Sequence, residues 1–245
     1  MASNGDQSSF NGKFVTIAGD QARLTLHWLT WADNDYVAAR RLLLDGLLVQ
    51  GASLANTAIE KYLKALLVFQ NKKVIHGHKP LSVYQEVRRN GSLRLNESFL
   101  GLLEQSYEMR YPDDLDDGYN IVLSQALILD ALDQTVKTIS DRIAFKNGNG
   151  DPIKRNLDVL IEKRDPRMVS QNTALGTITK EALLNQASLV FECRILNKNH
   201  LGAEYLTEQI KDEAFGREAF VQESDRMFRL AYLPVQSAGD PSSGN

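Results

Sequence analysis

The stretch ASLANTAIEKYLKALLVFQ, residues Ala52 to Gln70, decides the fold of this chain. At 100° per residue its apolar side chains fall on one broad face of a helix. That face comprises Ala55, Ala58, Ile59, Tyr62, Leu63, Leu66 and Leu67. Glu60 and Lys64 lie away from it, and an acid four residues before a base stabilises a helix by a few tenths of a kcal/mol. The pattern predicts a long amphipathic core helix.

The preceding stretch WLTWADNDYVAARRLLLDG, residues 28 to 46, predicts a second helix that packs against the first. Two amphipathic helices with a short Gly-containing connection lie antiparallel. Helical periodicity then continues to about Phe145, with a few Gly-, Pro- and Asn-rich interruptions. We therefore predict an all-α, antiparallel up-and-down bundle of four or five helices. Its core is expected to contain Ala39, Leu43, Ala58, Leu63, Leu66 and Leu127.

Changes in composition divide the chain into five segments. Residues 1–23 form a polar N-terminal extension in which FVTIAG either pairs as a strand or packs, and residues 24–145 form the bundle. The sequence KNGNGDP begins a linker, residues 146–177, because Gly, Asn and Pro interrupt regular structure. A helical periodicity then predicts an additional C-terminal helical region, residues 178–232. The tail, residues 233–245, is expected to be disordered because most of its residues are small or polar.

The overall composition excludes several classes of protein. With 28 basic and 31 acidic residues, the chain as a whole carries no charge that draws it to nucleic acid or to an anionic membrane. A single cysteine, Cys193, excludes an internal disulfide. No apolar run approaches the roughly 18 residues of a transmembrane helix, and the first residues lack the features of a signal peptide. We expect a cytoplasmic protein without a membrane partner.

Four motifs, in this order, resemble the HEPN domain, a nucleotide-binding domain of higher eukaryotes and prokaryotes. They are Trp31-Ala32-x-x-Asp35, Ala55-x-x-Ala58-x-Glu60-Lys61-x-Leu63-Lys64-Ala65-Leu66-Leu67, His78 before Leu81, and Arg110-Tyr111-Pro112. The resemblance covers about residues 24–145. It implies a four- or five-helix bundle, commonly a homodimer, whose relatives include metal-independent endoribonucleases of toxin and defence systems. It also implies a nucleotide, an RNA or a protein such as a nucleotidyltransferase-type antitoxin as partner.

Ribonuclease members of this family carry an Arg, usually followed by Asn, Asp or His, and then a His after four to six intervening residues. Metal-free RNA cleavage uses such a pair because one group moves the 2′-hydroxyl proton while a cation stabilises the phosphate. Arg110 is followed instead by YPDDLDDGY, which contains no His and four aspartates that repel phosphate. We therefore predict a non-catalytic module, without catalytic residues and without a cofactor.

Two groups of residues raise the question of a metal. Asp113, Asp114, Asp116 and Asp117 carry oxygens that suit Mg²⁺, but Pro followed by acids is also typical of a helix start, which we favour. His76 and His78 suit zinc in type, but no HxxxH or CxxC motif completes a ligand set. We predict no metal site.

Arg110, Tyr111 and His78 are the candidate ligand-binding residues, and we expect them to border one cleft. The guanidinium of Arg110 suits phosphate and the ring of Tyr111 suits a base. The alternative is that Arg110 pairs with Glu108, Asp113 or Asp114 and holds the turn together.

Two other functions remain open at this stage. One is a metal-independent endoribonuclease with an atypical site, either Arg110 with His78 or Arg194 with His200 in the sequence RILNKNH. The other is a structural interaction protein without a ligand. The basic residues of KRNLDVLIEKRDPR, 154–167, are interpreted as a solvated face.

Overall fold

The computed structural model describes residues 9–10, 13–14, 17–89, 91–115, 119–147, 149–197 and 200–206. In chain order the elements are β1 (Ser9–Phe10), β2 (Lys13–Phe14), α1 (Gly19–Leu44), α2 (Leu48–Phe69), α3 (Pro80–Arg88), α4 (Glu97–Glu108), a 3₁₀ helix (Pro112–Asp114), β3 (Asn120–Ser124), α5 (Gln125–Ser140), α6 (Asn156–Glu162), α7 (Pro166–Val169), α8 (Lys180–Leu184), β4 (Val190–Asn197) and β5 (His200–Leu206). Helices predominate, so the predicted all-α bundle is confirmed for its main part.

Helices α1 and α2 form an antiparallel hairpin that is the centre of the bundle. Gly46 makes the connection with φ +81°, a conformation that favours glycine. Gly51 allows the two helices to approach closely, because a Cβ there would lie 2.7 Å from Cγ of Leu43. The predicted helix at residues 52–70 is confirmed, and it ends at Phe69.

The predicted core is confirmed residue by residue. Helices α3, α4 and α5 pack around α2, and one cluster of buried side chains joins all five helices. All six predicted core residues are buried: Ala39, Leu43, Ala58, Leu63, Leu66 and Leu127. None of the described helices is long and apolar enough to cross a membrane.

The interpretation of residues 110–117 as a helix start is wrong. Pro112–Asp114 form a single turn of 3₁₀ helix, and the next described element is the strand β3. Helix α5 begins only at Gln125. The apolar residues of β3 fit a helical periodicity in the sequence, but Ile121 and Val122 are β-branched and suit a strand.

The predicted helical region at residues 178–232 is also wrong where it can be compared. Among the described residues of this range only Lys180–Leu184 is helical. Residues 190–197 and 200–206 form an antiparallel hairpin whose first strand pairs with β3, with Ile121 opposite Cys193. Phe191 and Cys193 are buried at alternating positions, which is the period of a strand. Residues 207–232 and the predicted tail, 233–245, lie outside the described residues.

The segment 146–177, predicted as a linker, is packed on the bundle. Helices α6 and α7 place Leu157 and Met168 in the common core. Arg40 of α1 donates hydrogen bonds to the backbone carbonyls of Arg167 and Ser170. These bonds tie the segment to α1, and the sequence could not show them because the partners are more than 120 residues apart.

In the N-terminal extension, residues 1–23, α1 already begins at Gly19. Before it, β1 and β2 pair as a short antiparallel ladder that includes Phe14 of FVTIAG. Residues 15–16 lie outside the described part of the chain.

Candidate functional site

The end of α4 holds an arginine between two tyrosine rings. Cζ of Arg110 lies 3.6 Å from the ring centre of Tyr107 and 5.1 Å from that of Tyr111. Nη2 of Arg110 also donates to the hydroxyl of Tyr111 at 3.4 Å. A guanidinium stacked on an aromatic face is attracted by the ring quadrupole and keeps its N–H groups at its edge. The stacking therefore fixes the position of the Arg110 side chain.

His78 approaches the same tyrosine from the loop between α2 and α3. Its ring centre lies 5.2 Å from that of Tyr107, with the two planes at 33°. Arg110 Cζ and the His78 ring centre are therefore separated by no more than the sum of 3.6 Å and 5.2 Å. We call His78, Tyr107, Arg110 and Tyr111 the Tyr107 site. The structure thus brings together the three residues singled out in the sequence, around a fourth.

A buried carboxylate on α2 lies behind His78. Oε2 of Glu60 is 3.0 Å from Nδ1 of His78. The other oxygen, Oε1, accepts a hydrogen bond from Nζ of Lys64, which also donates to the carbonyl of Gly77 at 3.3 Å. Nδ2 of Asn56 donates to the carbonyl of His78 at 3.2 Å. Three polar side chains of α2 therefore hold the loop and orient the His78 ring.

These α2 side chains correct the sequence-based picture of the helix. Glu60 and Lys64 lie off the apolar face, as the periodicity indicates, but the side chains are only 4% and 8% exposed. The loop that carries His78 covers them. Their pair is therefore a buried part of the site, and the few tenths of a kcal/mol typical of an exposed pair does not describe it.

Arg110 does not hold the turn together by an ion pair. Among the described residues, none of Glu108, Asp113 and Asp114 lies within 4.0 Å of its guanidinium. Asp113 and Asp114 are exposed, and Asp116 and Asp117 lie outside the described residues. In the part of the chain that the structure describes, no three His, Cys, Asp or Glu side chains cluster in a way that suits a metal ion.

Two tryptophans of α1 border the site on the other side of Lys64. Nζ of Lys64 lies 5.5 Å from the ring centre of Trp28, and Nζ of Lys61 lies 5.8 Å from that of Trp31. Lys61 is paired with Asp35 at 2.5 Å. Trp31 is 52% exposed. Two lysines of α2, one buried and one partly exposed, therefore lie over the two tryptophan rings of α1.

The second arginine–histidine pair suggested by spacing, Arg194 with His200, lies in the β4–β5 hairpin and not on a helix. The backbone register places Arg194 opposite Asn120 and Gly202, and His200 opposite Asn197. The side chains of Arg194 and His200 lie outside what the structure describes.

Tyr107 and Glu60 are the members of the site that sequence reasoning missed. Tyr107 lies three residues before Arg110, which is one helical turn, so the spacing itself carried a signal. Glu60 stands inside the motif that indicates the family, but its contact with His78 depends on the path of the loop.

The architecture is that of an all-α antiparallel bundle with a polar, aromatic site at its edge. Residues 25–134 match the family model of the HEPN domain, and this part of the chain is therefore a HEPN domain, as the resemblance predicts. HEPN domains form a family of nucleotide-binding and ribonuclease-type proteins. Comparisons with curated proteins and with solved structures found no match.

Proposed function

We propose that this chain is a non-catalytic HEPN module that binds the phosphate group of a nucleotide or of an RNA strand at the Tyr107 site. One observation carries the proposal. Arg110 is held 3.6 Å over the ring of Tyr107 and, among the described residues, has no carboxylate partner. A fixed cation without a counter-ion is suited to an anionic ligand.

The chemistry of the site fits a nucleotide in both of its parts. The guanidinium of Arg110 presents parallel N–H groups, which bind two oxygens of one phosphate. Tyr111 is 57% exposed next to it, and an exposed ring is a platform for stacking a base. Phosphate contact and base stacking are thus available within two consecutive residues.

The absence of catalysis is proposed on the residues that follow Arg110. None of YPDDLDDGY is a general base of the kind that ribonuclease members of the family use at this place. The exposed carboxylates of Asp113 and Asp114 also oppose a phosphodiester positioned along this turn. A bound phosphate at Arg110 therefore lacks a partner there that would cleave it.

Calorimetric titration with ATP, GTP and a short RNA tests binding. We expect Arg110→Ala to weaken binding of at least one of them by about tenfold or more, the value of a charge-assisted hydrogen bond. Arg23→Ala is the matched control, because Arg23 is an exposed arginine on the first turns of α1 whose partner is Asp20. Equal affinities of the wild type and Arg110→Ala would overturn the proposal, and absence of binding would favour a purely structural protein.

A ribonuclease with an atypical site is the second candidate, and one observation favours it. Glu60 orients His78, and His78 shares the Tyr107 ring with Arg110. A histidine held by a carboxylate beside an arginine resembles the acid–base and cation pair of metal-free RNA cleavage. A gel assay of labelled total RNA with EDTA separates the two functions. Cleavage that disappears in both His78→Ala and Arg110→Ala would establish the enzyme.

We propose that the protein acts in the cytoplasm in a toxin–antitoxin or defence system, with a nucleotidyltransferase-type antitoxin as protein partner, and that it forms a homodimer. The habits of the family support this proposal. Light scattering at tens of micromolar tests the dimer, because a monomer has a mass of 27.4 kDa. A mass that stays at this value would contradict it.

A further inference from the structure

We infer that phosphate binding at the Tyr107 site takes up a proton at Nε2 of His78, so that affinity rises as the pH falls. This inference rests on the proposed function and adds a form of regulation to it. It follows from the way in which Glu60 holds the histidine and from the charges around that pair.

Glu60 fixes which nitrogen of His78 carries the proton. A neutral imidazole has one N–H, and an ionised carboxylate only accepts hydrogen bonds. With Oε2 of Glu60 at 3.0 Å from Nδ1, the proton of neutral His78 lies on Nδ1. Nε2 is then an acceptor, and it belongs to a ring that is 60% exposed. Neutral His78 therefore offers a phosphate a lone pair and no donor.

Protonation changes both the charge and the hydrogen-bonding role of this ring. The second proton goes to Nε2, which becomes a donor directed away from Glu60. The carboxylate of Glu60 is already balanced by Lys64, so protonated His78 adds one net positive charge to the site. A phosphate bound near Arg110 stabilises that charge. By linkage, the phosphate raises the affinity of His78 for the proton and the proton raises the affinity for the phosphate.

The other charged groups around His78 do not replace it as the titrating donor. From α2 it faces Glu60 and Lys64, and from α4 it faces Tyr107, whose ring Arg110 also contacts.

On its own loop, Lys79 follows His78 directly and His76 is exposed two residues earlier. Lysine and arginine keep their charge between about pH 5 and 8, whereas histidine changes its charge in this range. Glu104 of α4 accepts a hydrogen bond from the amide of Leu81 at 2.8 Å, and burial raises its pKa. Glu104 is the same in the wild type and in His78→Gln, so the comparison of these two proteins separates its contribution from that of His78.

Calorimetry with an unphosphorylated hexanucleotide RNA at about pH 5.5 and about pH 8 tests the inference. This probe is chosen because its phosphodiesters keep their charge, whereas a terminal phosphate titrates near pH 6. We expect the affinity of the wild type to be about fivefold to tenfold higher at the lower pH. His78→Gln should remove most of this difference, and His76→Gln, the matched control in the same loop, should keep it.

A second measurement works on the wild type and does not depend on whether a variant folds. In ¹⁵N NMR the free protein near pH 8 should show the His78 ring with its proton on Nδ1, and saturating RNA should move its titration to higher pH. A proton on Nε2 in the free protein, or a titration unchanged by RNA, would overturn the inference. So would a pH dependence of binding that persists in His78→Gln.

The outcomes separate the inference from the proposed function. Binding that is lost in Arg110→Ala but equal at the two pH values would leave the proposed function in place and overturn only the proton uptake. If ATP binds and the RNA does not, the same comparison of wild type and His78→Gln is made with ATP, since the titration of the ligand is common to both proteins. If neither binds at either pH, the proposed function and the inference fail together.

Discussion

Two arginines show how differently the two sides of this bundle use a positive charge. Arg40 lies under residues 155–184, on what we call the covered face of α1 and α5, and its side chain is fully buried. It donates to Asp133 and to two backbone carbonyls, of Arg167 and Ser170. Arg110 lies on the open face, at the Tyr107 site, where two aromatic rings hold it.

The difference shows which charges are available to a ligand. A buried charge costs several kcal/mol of desolvation, so it persists only where protein groups satisfy it. On the covered face Asp133 also accepts from the hydroxyl of Tyr36 at 2.7 Å, and Asp33 accepts from Tyr62 at 2.6 Å. Asp133 has its partners within the fold, whereas Oδ2 of Asp33 has no hydrogen-bond partner among the described residues and lies 3.6 Å from Nε of Arg155. On the open face, stacking on Tyr107 positions the guanidinium of Arg110, and its N–H groups can then bind a ligand.

Removing Asp133, the buried partner of Arg40, should have the largest effect on the stability of the protein. Asp133→Ala leaves Arg40 buried without a carboxylate, and we expect a loss of about 3–5 kcal/mol in the free energy of unfolding. Urea unfolding measures it. Asp141→Ala is the control, because its pair with Lys137 is exposed and is worth about 0.5 kcal/mol or less. A loss in Asp133→Ala as small as in the control would remove the distinction between the two faces.

How far the sequence predicts this fold depends on how local the signals are. The apolar face of Ala52–Gln70 repeats within one helix, so periodicity identifies the helix and its buried Leu63. The strand β3 pairs with a strand about 70 residues further on, and no local sequence pattern indicates that these two segments pair. The same holds for residues 146–177, whose Gly- and Asn-rich start predicts a linker although Arg40 binds the chain that follows.

The residues of the candidate site also differ in how far a local sequence signal predicts them. Arg110, Tyr111 and His78 stand out in the sequence because they belong to short motifs. The burial of Glu60 could not be predicted, since it depends on a loop that folds back over α2. The place of Tyr107 in the site was easier to predict than that of Glu60, because helical spacing alone relates Tyr107 to Arg110.

The titration of Asp133 tests the covered face without a mutation. Burial raises the pKa of Asp133 to about 6, although Arg40 and Tyr36 lower it in part. The folded state then binds more protons than the unfolded state between about pH 4 and pH 6, so this carboxyl makes the protein less stable as the pH rises through that window. The raised pKa corresponds to about 3 kcal/mol.

Carboxyl ¹³C NMR should show a midpoint for Asp133 near 6. A midpoint near 4, the ordinary value for an aspartate, would mean that Arg40 fully offsets the burial and that the charges of the covered face cost little.

A single methyl group added at the contact between α1 and α2 should lower the stability of the protein. In Gly51→Ala the new Cβ would lie 2.7 Å from Cγ of Leu43 and 3.1 Å from the backbone nitrogen of that residue. We expect a loss of about 1–3 kcal/mol, the usual cost of overpacking.

Gly101→Ala is the matched control for that variant, since nothing lies within 4 Å of the corresponding Cβ in α4. There the higher helix propensity of alanine should stabilise the protein by about 0.5–1 kcal/mol. Thermal unfolding measures the shift of Tm in each of the two variants. Equal shifts of Tm would show that the helices separate easily at Gly51.

The smallest effect on stability is expected at the residue with the largest proposed effect on binding. Arg110 is exposed, and among the described residues its side chain contacts the ring of Tyr107 and makes one long hydrogen bond to Tyr111. An exposed cation–π contact is worth about 0.5–1 kcal/mol, and an alanine near the end of α4 should lose no more than that. Arg110→Ala should therefore unfold within about 1 kcal/mol of the wild type in urea, while Asp133→Ala does not. A loss of several kcal/mol in Arg110→Ala would mean that this arginine, like Arg40, serves the fold, and its failure to bind a nucleotide would then say nothing about a site. A small loss together with weakened binding is the combination that distinguishes a ligand-binding arginine from a structural one.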